Sequence, residues 1–247
     1  MSKKKNGGRV HLNDAPGKLL SRADNAFRRD RMTKAYHLYG EAIAHLEAMW
    51  DATQNAQVGF RLAKAYIFGY YPAWRKYLGR NTPKAQREDW FTKAYERGRA
   101  GVELEIELAH KPVAMSDEDV FSAICNLHNL ATDLLHYKQD NSAADYFVRE
   151  AYKLLEVQRP GDTMPPQLHF GFVEMKARIA YNRREFATAL ALVDEVIAFE
   201  QAKVDKARRR HKKLPPANWL KAPTELRDSI NKAVMQAATE SVRNAKL

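Results

Sequence analysis

Three features of the sequence predict an all-α fold. Apolar residues recur at three- and four-residue steps through one stretch after another. Short polar or proline-containing segments separate those stretches, and no stretch alternates with a period of two for long enough to form a strand. The clearest case is Asn126 to Val157. Leu127, Leu130, Ala131, Leu134 and Leu135 form one stripe, and Ala144, Phe147, Val148, Ala151, Leu154 and Leu155 form another. The polar turn Lys138-Gln139-Asp140-Asn141 joins them. One helical hairpin cannot bury that much apolar surface alone, so the chain has to supply similar neighbours.

It does so in order. A first pair sets Leu19, Leu20, Ala23, Ala26 and Phe27 against Ala35, Leu38, Tyr39, Ala42, Ile43 and Leu46, with the turn at Asp30-Arg31. A second pair starts near Ala56, and Pro72 is expected to disrupt or end its first helix, because proline lacks the N–H that a helix interior needs. The aromatic and basic segment from Tyr70 to Asn81 then reads as an insertion. Thr82-Pro83 reads as an N-cap with proline at the first helical position, opening a long helix to about Ala109. Ser116-Asp117-Glu118-Asp119 resembles a weak capping box and opens the helix that leads into the central hairpin.

A loop bounded by Pro160-Gly161 and Pro165-Pro166 precedes a fourth pair, whose second helix shows Leu190, Val193, Val196 and Ile197 on one face. Leu214-Pro215-Pro216 interrupts the chain. Thr224 is expected to cap a last helix from about Glu225 to Arg243, burying Leu226, Ile230, Ala233, Val234 and Ala237.

The pairs share alanines near the helix crossings and an aromatic near the turn. The fourth has Ala177, Tyr181, the turn Arg184-Glu185-Phe186, then Ala189, Val193 and Val196. The third has Ala144, Val148 and Ala151, the first has Ala23, Ala26, Ala35, Tyr39 and Ala42, and the second has Ala63, Tyr66, Phe91 and Ala94. This pattern resembles tetratricopeptide (TPR) repeats, whose small residues let two helices pack closely. It departs from the family in the spacing of its anchor alanines, which are not multiples of the roughly 34-residue period. Alanine also replaces the expected glycine, so the resemblance is to a divergent, TPR-like superhelix; an irregular helical bundle is the other architecture that fits.

The resemblance implies antiparallel hairpins with a C-terminal capping helix. The implied organisation is a flexible basic tail over 1–17, a helical-repeat domain over 18–203, a basic and proline-containing linker over 204–223 and a C-terminal helix over 224–247.

In that family the first helix of each repeat lines a concave groove. The resemblance therefore implies a groove set of Arg28, Arg61, Lys64, Asn126, Asn129, Asp133, Glu174, Arg178 and Asn182. Amides there would hold a peptide backbone and cations its carboxylates. Solvated helix faces are the plainer account of each residue taken singly.

Composition narrows the function. The single cysteine excludes an intrachain disulfide framework, and no apolar run approaches the roughly 20 residues that span a bilayer. The start, MSKKKNGGRV, lacks the apolar segment of a secretory leader. A cytoplasmic, non-membrane protein is expected, or a nuclear one in a eukaryotic host. Cys125, His128 and His136 lack the second ligand pair of a zinc site. Asp133 and His136 share a helix face without an accompanying nucleophile or phosphate loop, so no enzyme, metal or cofactor is expected.

The net charge of +11 is concentrated in two runs, Lys3, Lys4, Lys5 and Arg9 at one end and Lys206, Arg208, Arg209, Arg210, Lys212 and Lys213 towards the other. The rest of the chain sums close to neutral. Tyr70, Tyr71, Trp74, Arg75, Lys76, Tyr77 and Arg80 mix rings and cations as single-strand nucleic-acid binders do. The expected function is a non-enzymatic adaptor or scaffold that binds a protein partner in its groove and assembles or inhibits a larger complex. The alternative is a nucleic-acid-associated subunit contacting RNA or DNA through these basic segments and the aromatic stretch.

Overall fold

A computed structural model of the chain describes residues 15–111, 115–210 and 218–244, leaving aside the side chains of 218, 219 and 241–244. Among the described residues there are nine α-helices, one π-helical turn and no strand, so the all-α prediction holds. None of these helices is long and apolar enough to cross a membrane. The chain divides into two compact units, Met1–Ser116 and Asp117–Leu247.

The first unit contains α1 (Ala15–Arg28), α2 (Met32–Thr53), α3 (Ala56–Leu78) and α4 (Lys84–Ala109), each packed on its neighbour in the chain. The predicted turn at Asp30 is made by a left-handed residue (φ 56°), which short polar side chains tolerate. There the Arg31 N–H returns to Ala26 O at 2.9 Å, closing off the end of α1. Asn55 caps α3 by accepting from the Gln57 N–H at 2.9 Å. The alanines at the hairpin crossings, Ala23, Ala35, Ala42, Ala63 and Ala94, are all buried to 1% exposure or less.

Three expectations are corrected here. The α1 helix begins at Ala15, with Pro16 and Gly17 buried, so the last residues assigned to the tail belong to the folded unit. Pro72 neither ends nor splits α3, which runs on to Leu78, so the segment from Tyr70 is helix and not an insertion. The gain that offsets the lost hydrogen bond is visible: Trp74 and Tyr77 pack on Phe91 of α4, with centroids 6.0 and 5.3 Å apart. The N-cap of α4 is Pro83 rather than Thr82, and no side chain caps it.

A half-buried arginine joins three of these helices. Arg97 of α4 donates through Nη1 to Tyr36 O of α2 at 3.0 Å and to Gly69 O of α3 at 3.3 Å. Its guanidinium lies 3.5 Å from the centroid of the Tyr36 ring. Space for it comes from Gly40 and Gly69, where an added Cβ would approach Arg97 nitrogens to 2.8 and 3.0 Å. Burial lowers the guanidinium pKa, and the cation faces two carbonyls and a ring.

The second unit contains α5 (Asp117–Asp133), the π-helical turn (Leu134–Lys138), α6 (Asn141–Gln158), α7 (Pro166–Asn182), α8 (Phe186–Arg209) and α9 (Asn218–Asn244). The central hairpin forms as its sequence predicts. Gln139 is left-handed (φ 53°), and the Asp140 carboxylate accepts from the Ala143 N–H at 3.0 Å. Arg159, just after α6, pairs with Asp117 at the start of α5 and ties the open end. α5 packs on α6 and α7, α7 packs on α8, and α9 packs on α8 and α7. Phe147, Phe172, Ile124, Leu127, Val193 and Ile230 fill the core.

Two further boundaries differ from expectation. α8 continues through Lys206, Arg208 and Arg209, so part of the expected linker is helix. α9 starts at Asn218 and passes through Pro223, and the Thr224 hydroxyl donates back to Leu220 O at 2.7 Å instead of capping. Its far half is not buried as expected: Ala233 is only half-buried, and Val234 and Ala237 are exposed.

Candidate functional site

The face of α7 around which the second unit opens is laid out by its sequence. Pro166 occupies the first turn, where its missing N–H costs nothing. From there Gln167, Phe170, Glu174, Arg178 and Asn182 recur at helical steps on one side. Two hollows open along that stripe. One, of about 330 Å³, is lined by Arg178, Tyr181 and Asn182 together with Leu135, His136 and Gln139 from the π-helical turn and beyond, and by Glu225, Leu226 and Ser229 of α9. The other, of about 260 Å³, lies among Gln167, Phe170, Gly171 and Glu174 of α7 and Val196 and Glu200 of α8. Ala222 of α9 borders both.

The charges along this trough are paired. Arg178 donates through Nη2 and Nε to Glu174 Oε1 at 2.7 and 3.1 Å. Lys203 donates to Glu200 at 2.9 Å and to Gln167 at 3.2 Å. Asn182 donates to Asn141 Oδ1 at 2.8 Å. Burial lowers the pKa of His136, and the nearby Arg178 adds to the effect while Glu174 opposes it. Burial and Arg178 both favour the neutral imidazole.

Behind the trough, α5 and α7 approach closely at Gly171. A Cβ there would come within 2.5 Å of His128 Nε2. The His128 ring stands edge-on to Phe172, with centroids 5.1 Å apart, and burial lowers its pKa. Burial also raises the Asp133 carboxyl to about 7. The neighbouring π-helical turn shifts the register of the residues that follow, a distortion frequent at functional sites.

The nine groove positions therefore divide. Glu174, Arg178 and Asn182 line the trough. Asp133 is half-buried on α5 and Asn126 likewise, whereas Asn129 is exposed and hydrogen-bonded to His128; none of these three lines either hollow. Arg28 lies exposed at the end of α1, and Arg61 and Lys64 lie on α3, all in the first unit. The α9 side of the trough, Ala222, Glu225 and Ser229, is not among the groove positions the sequence predicts, because the last helix is expected to start only at about Glu225 and to act as a cap. The three- and four-residue steps from Ala222 to Glu225 to Ser229 were the available signal.

The aromatic-basic stretch sorts by chemistry. Tyr70 is buried and stacks on Trp74 at 5.8 Å, Tyr71 packs edge-on to Tyr70, and Trp74 and Tyr77 face α4. Arg75, Lys76 and Arg80 instead line an open cleft. In the other basic run, Lys206, Arg208 and Arg209 stand exposed on the last turns of α8, where cations suit the negative end of the helix dipole, and Arg210 follows them. Lys212 and Lys213 lie outside the described residues, as does the basic run of the N-terminal tail. Cys125 is half-buried, and burial raises its thiol pKa. Among the described residues no group of three or more His, Cys, Asp or Glu side chains is placed to hold a metal ion. No family model, curated protein or solved structure matches this chain.

Proposed function

We propose that the chain is a non-enzymatic, TPR-like adaptor whose second unit holds an extended segment of a protein partner and so assembles or inhibits a larger complex. The observation that carries this reading is the trough along α7, two hollows meeting at Ala222 and flanked by α9. From Gln167 to Asn182 it follows about 22 Å of helix, the reach of roughly six or seven extended residues. Its lining alternates apolar patches (Phe170, Leu135, Leu226) with amides and hydroxyls, a mixture suited to a peptide backbone with a few apolar side chains. The buried small residues at the hairpin crossings support the TPR-like description, as does the packing of α7 on both α5 and α9.

The test begins with peptides selected from a random display library against the full chain. Their affinities are then measured for wild type and for Ala222→Arg and Ser229→Arg, exposed positions where bulk blocks the trough without entering the core. A loss of roughly tenfold or more in both variants, the weight of one lost hot-spot contact, is expected. Selected peptides that bind both variants as tightly as wild type would sink the reading.

A further inference from the structure

The near-neutral sum of the body conceals a strongly basic cleft in the first unit, where the α1–α2 turn meets the α3–α4 turn. It encloses about 590 Å³ and is lined by Arg31, Lys34, Arg75, Lys76 and Arg80, with Thr82 adding a hydroxyl. Asp30 is the one carboxylate among its lining residues, and it reaches Arg75 at 3.9 Å. A smaller adjoining hollow shares Arg31 and Lys34 and adds Arg22 and Arg29. Seven cations thus face two connected hollows with a single acid between them.

Ordinary helix electrostatics accounts for only part of this. Arg75 and Lys76 sit in the last turn of α3, where the helix dipole favours cations, and Lys76 also lies over the Trp90 ring at 5.7 Å. Arg31 and Lys34 are at the opposite kind of place. Arg31 is the N-cap of α2 and Lys34 lies in its first turn, no side chain caps that end, and no acid stands in its first turn. The free N–H groups there already carry partial positive charge, so two cations beside them repel it and each other. Such an arrangement is relieved by an external anion.

The spread of charge indicates what kind. One phosphate or carboxylate would engage two or three of these side chains, whereas cations arrayed over two joined hollows match a ligand that repeats its charge. Trp74 and Tyr77 of the same segment pack on Phe91 of α4 and no aromatic residue lines the cleft, so its lining offers charge and not a stacking platform. We propose that this cleft binds the phosphate backbone of a nucleic acid, through charge and without base stacking. The site lies within the first unit and does not depend on the peptide reading of the second.

The experiment uses the full chain and fluorescent short duplex DNA and duplex RNA, with a poly-glutamate peptide of equal charge as the protein-like probe. Affinity is measured over a salt series for wild type, for Arg31→Ser/Lys34→Ser/Arg80→Ser, and for a chain with Lys206, Arg208, Arg209 and Arg210 changed to Ser. The three cleft positions are exposed, and circular dichroism with a thermal melt reports the fold of each variant; single Lys34→Ser and Arg80→Ser chains replace the triple variant if it unfolds. The expected result is duplex binding that weakens at least roughly tenfold in the triple variant, with the salt slope smaller by about two to three, one for each lost phosphate contact. In the single variants each loss is a fraction of that. Cleft variants that bind duplex as wild type does overturn the proposal, whether or not the α8 variant loses binding. So does poly-glutamate that binds as tightly as the nucleic acids.

Discussion

The two units are built from the same parts, antiparallel helices crossing at buried alanines, yet they place polar groups in opposite ways. In the first unit a half-buried cation ties the helices together. Arg97 is clamped between α2 and α3 by backbone carbonyls and a tyrosine ring, while the cations at the turns are left largely without acids. In the second unit the charges along the open face are neutralised in place, Arg178 by Glu174 and Lys203 by Glu200, and the titratable groups Asp133 and His128 lie behind that face. The contrast separates two uses of a helical hairpin. Paired charge on an open face keeps a trough soluble without repelling a mixed polar and apolar segment, whereas unpaired charge at a cleft asks for a counter-charge from outside.

The comparison can be broken most sharply at Arg97. Arg97→Ala removes two charge-assisted hydrogen bonds and a stacked cation, and should destabilise the first unit by about 3 kcal/mol. Three of the four tryptophans, Trp50, Trp74 and Trp90, lie in that unit, so urea unfolding followed by tryptophan fluorescence in a Trp219→Phe background reads it directly. Arg97→Lys should recover less than half of the loss, since a single ammonium cannot span two carbonyls and stack on a ring as well. Wild-type stability in the Ala variant would mean that the arginine only fills space.

In the second unit the matching test is the Asp133 carboxyl. Its pKa in the fold is raised from 3.8 to about 7, so the unfolded state ionises first. Between pH 4 and 7 the folded state therefore holds the extra proton, and stability should fall as pH rises through that window and level off above it. The size is about 2 kcal/mol, less than the full shift implies because water reaches part of the group. Asp133→Asn should flatten the profile. His128, whose lowered pKa works in the opposite sense, stays in both chains and cancels in the comparison. Parallel profiles for the two chains would show that Asp133 is not buried as described.

The smallest effect sharpens the account of how α5 meets α7. Gly171→Ala should cost about 1 kcal/mol net, the clash with His128 outweighing the better helix propensity of alanine. In the His128→Ala background the same substitution should be neutral or stabilising. A double-mutant cycle on thermal unfolding measures that coupling, and additive changes would remove the contact from the explanation.

Much of this was legible in the chain. The central hairpin is announced by two apolar stripes and the polar turn between them, where Asp140 has the side chain of an N-cap. Nothing in the residue type of Gln139, by contrast, signals its left-handed conformation. Pro72 was misread because local rules count the hydrogen bond that proline removes and cannot see the aromatic packing that offsets it. Thr224 has the residue type of an N-cap but sits inside α9, which starts at Asn218, so the start of that helix, with Ala222 at the trough, was placed outside it. Glu174, Arg178 and Asn182 were reached through repeat-family positions, whereas Arg31 and Lys34 were invisible because summed charge erases location.

The sequence by itself determined the helices and most of their turns, since these depend on neighbours within about four residues. Only the tertiary structure decided which cations gather at one cleft, which acids are paired, and which rings face inward. Those outcomes depend on residues far apart in the chain, such as Tyr36, Gly69 and Arg97, being brought within a hydrogen bond of each other. Electrostatic free energy follows distance in space, and periodicity along the chain does not encode it.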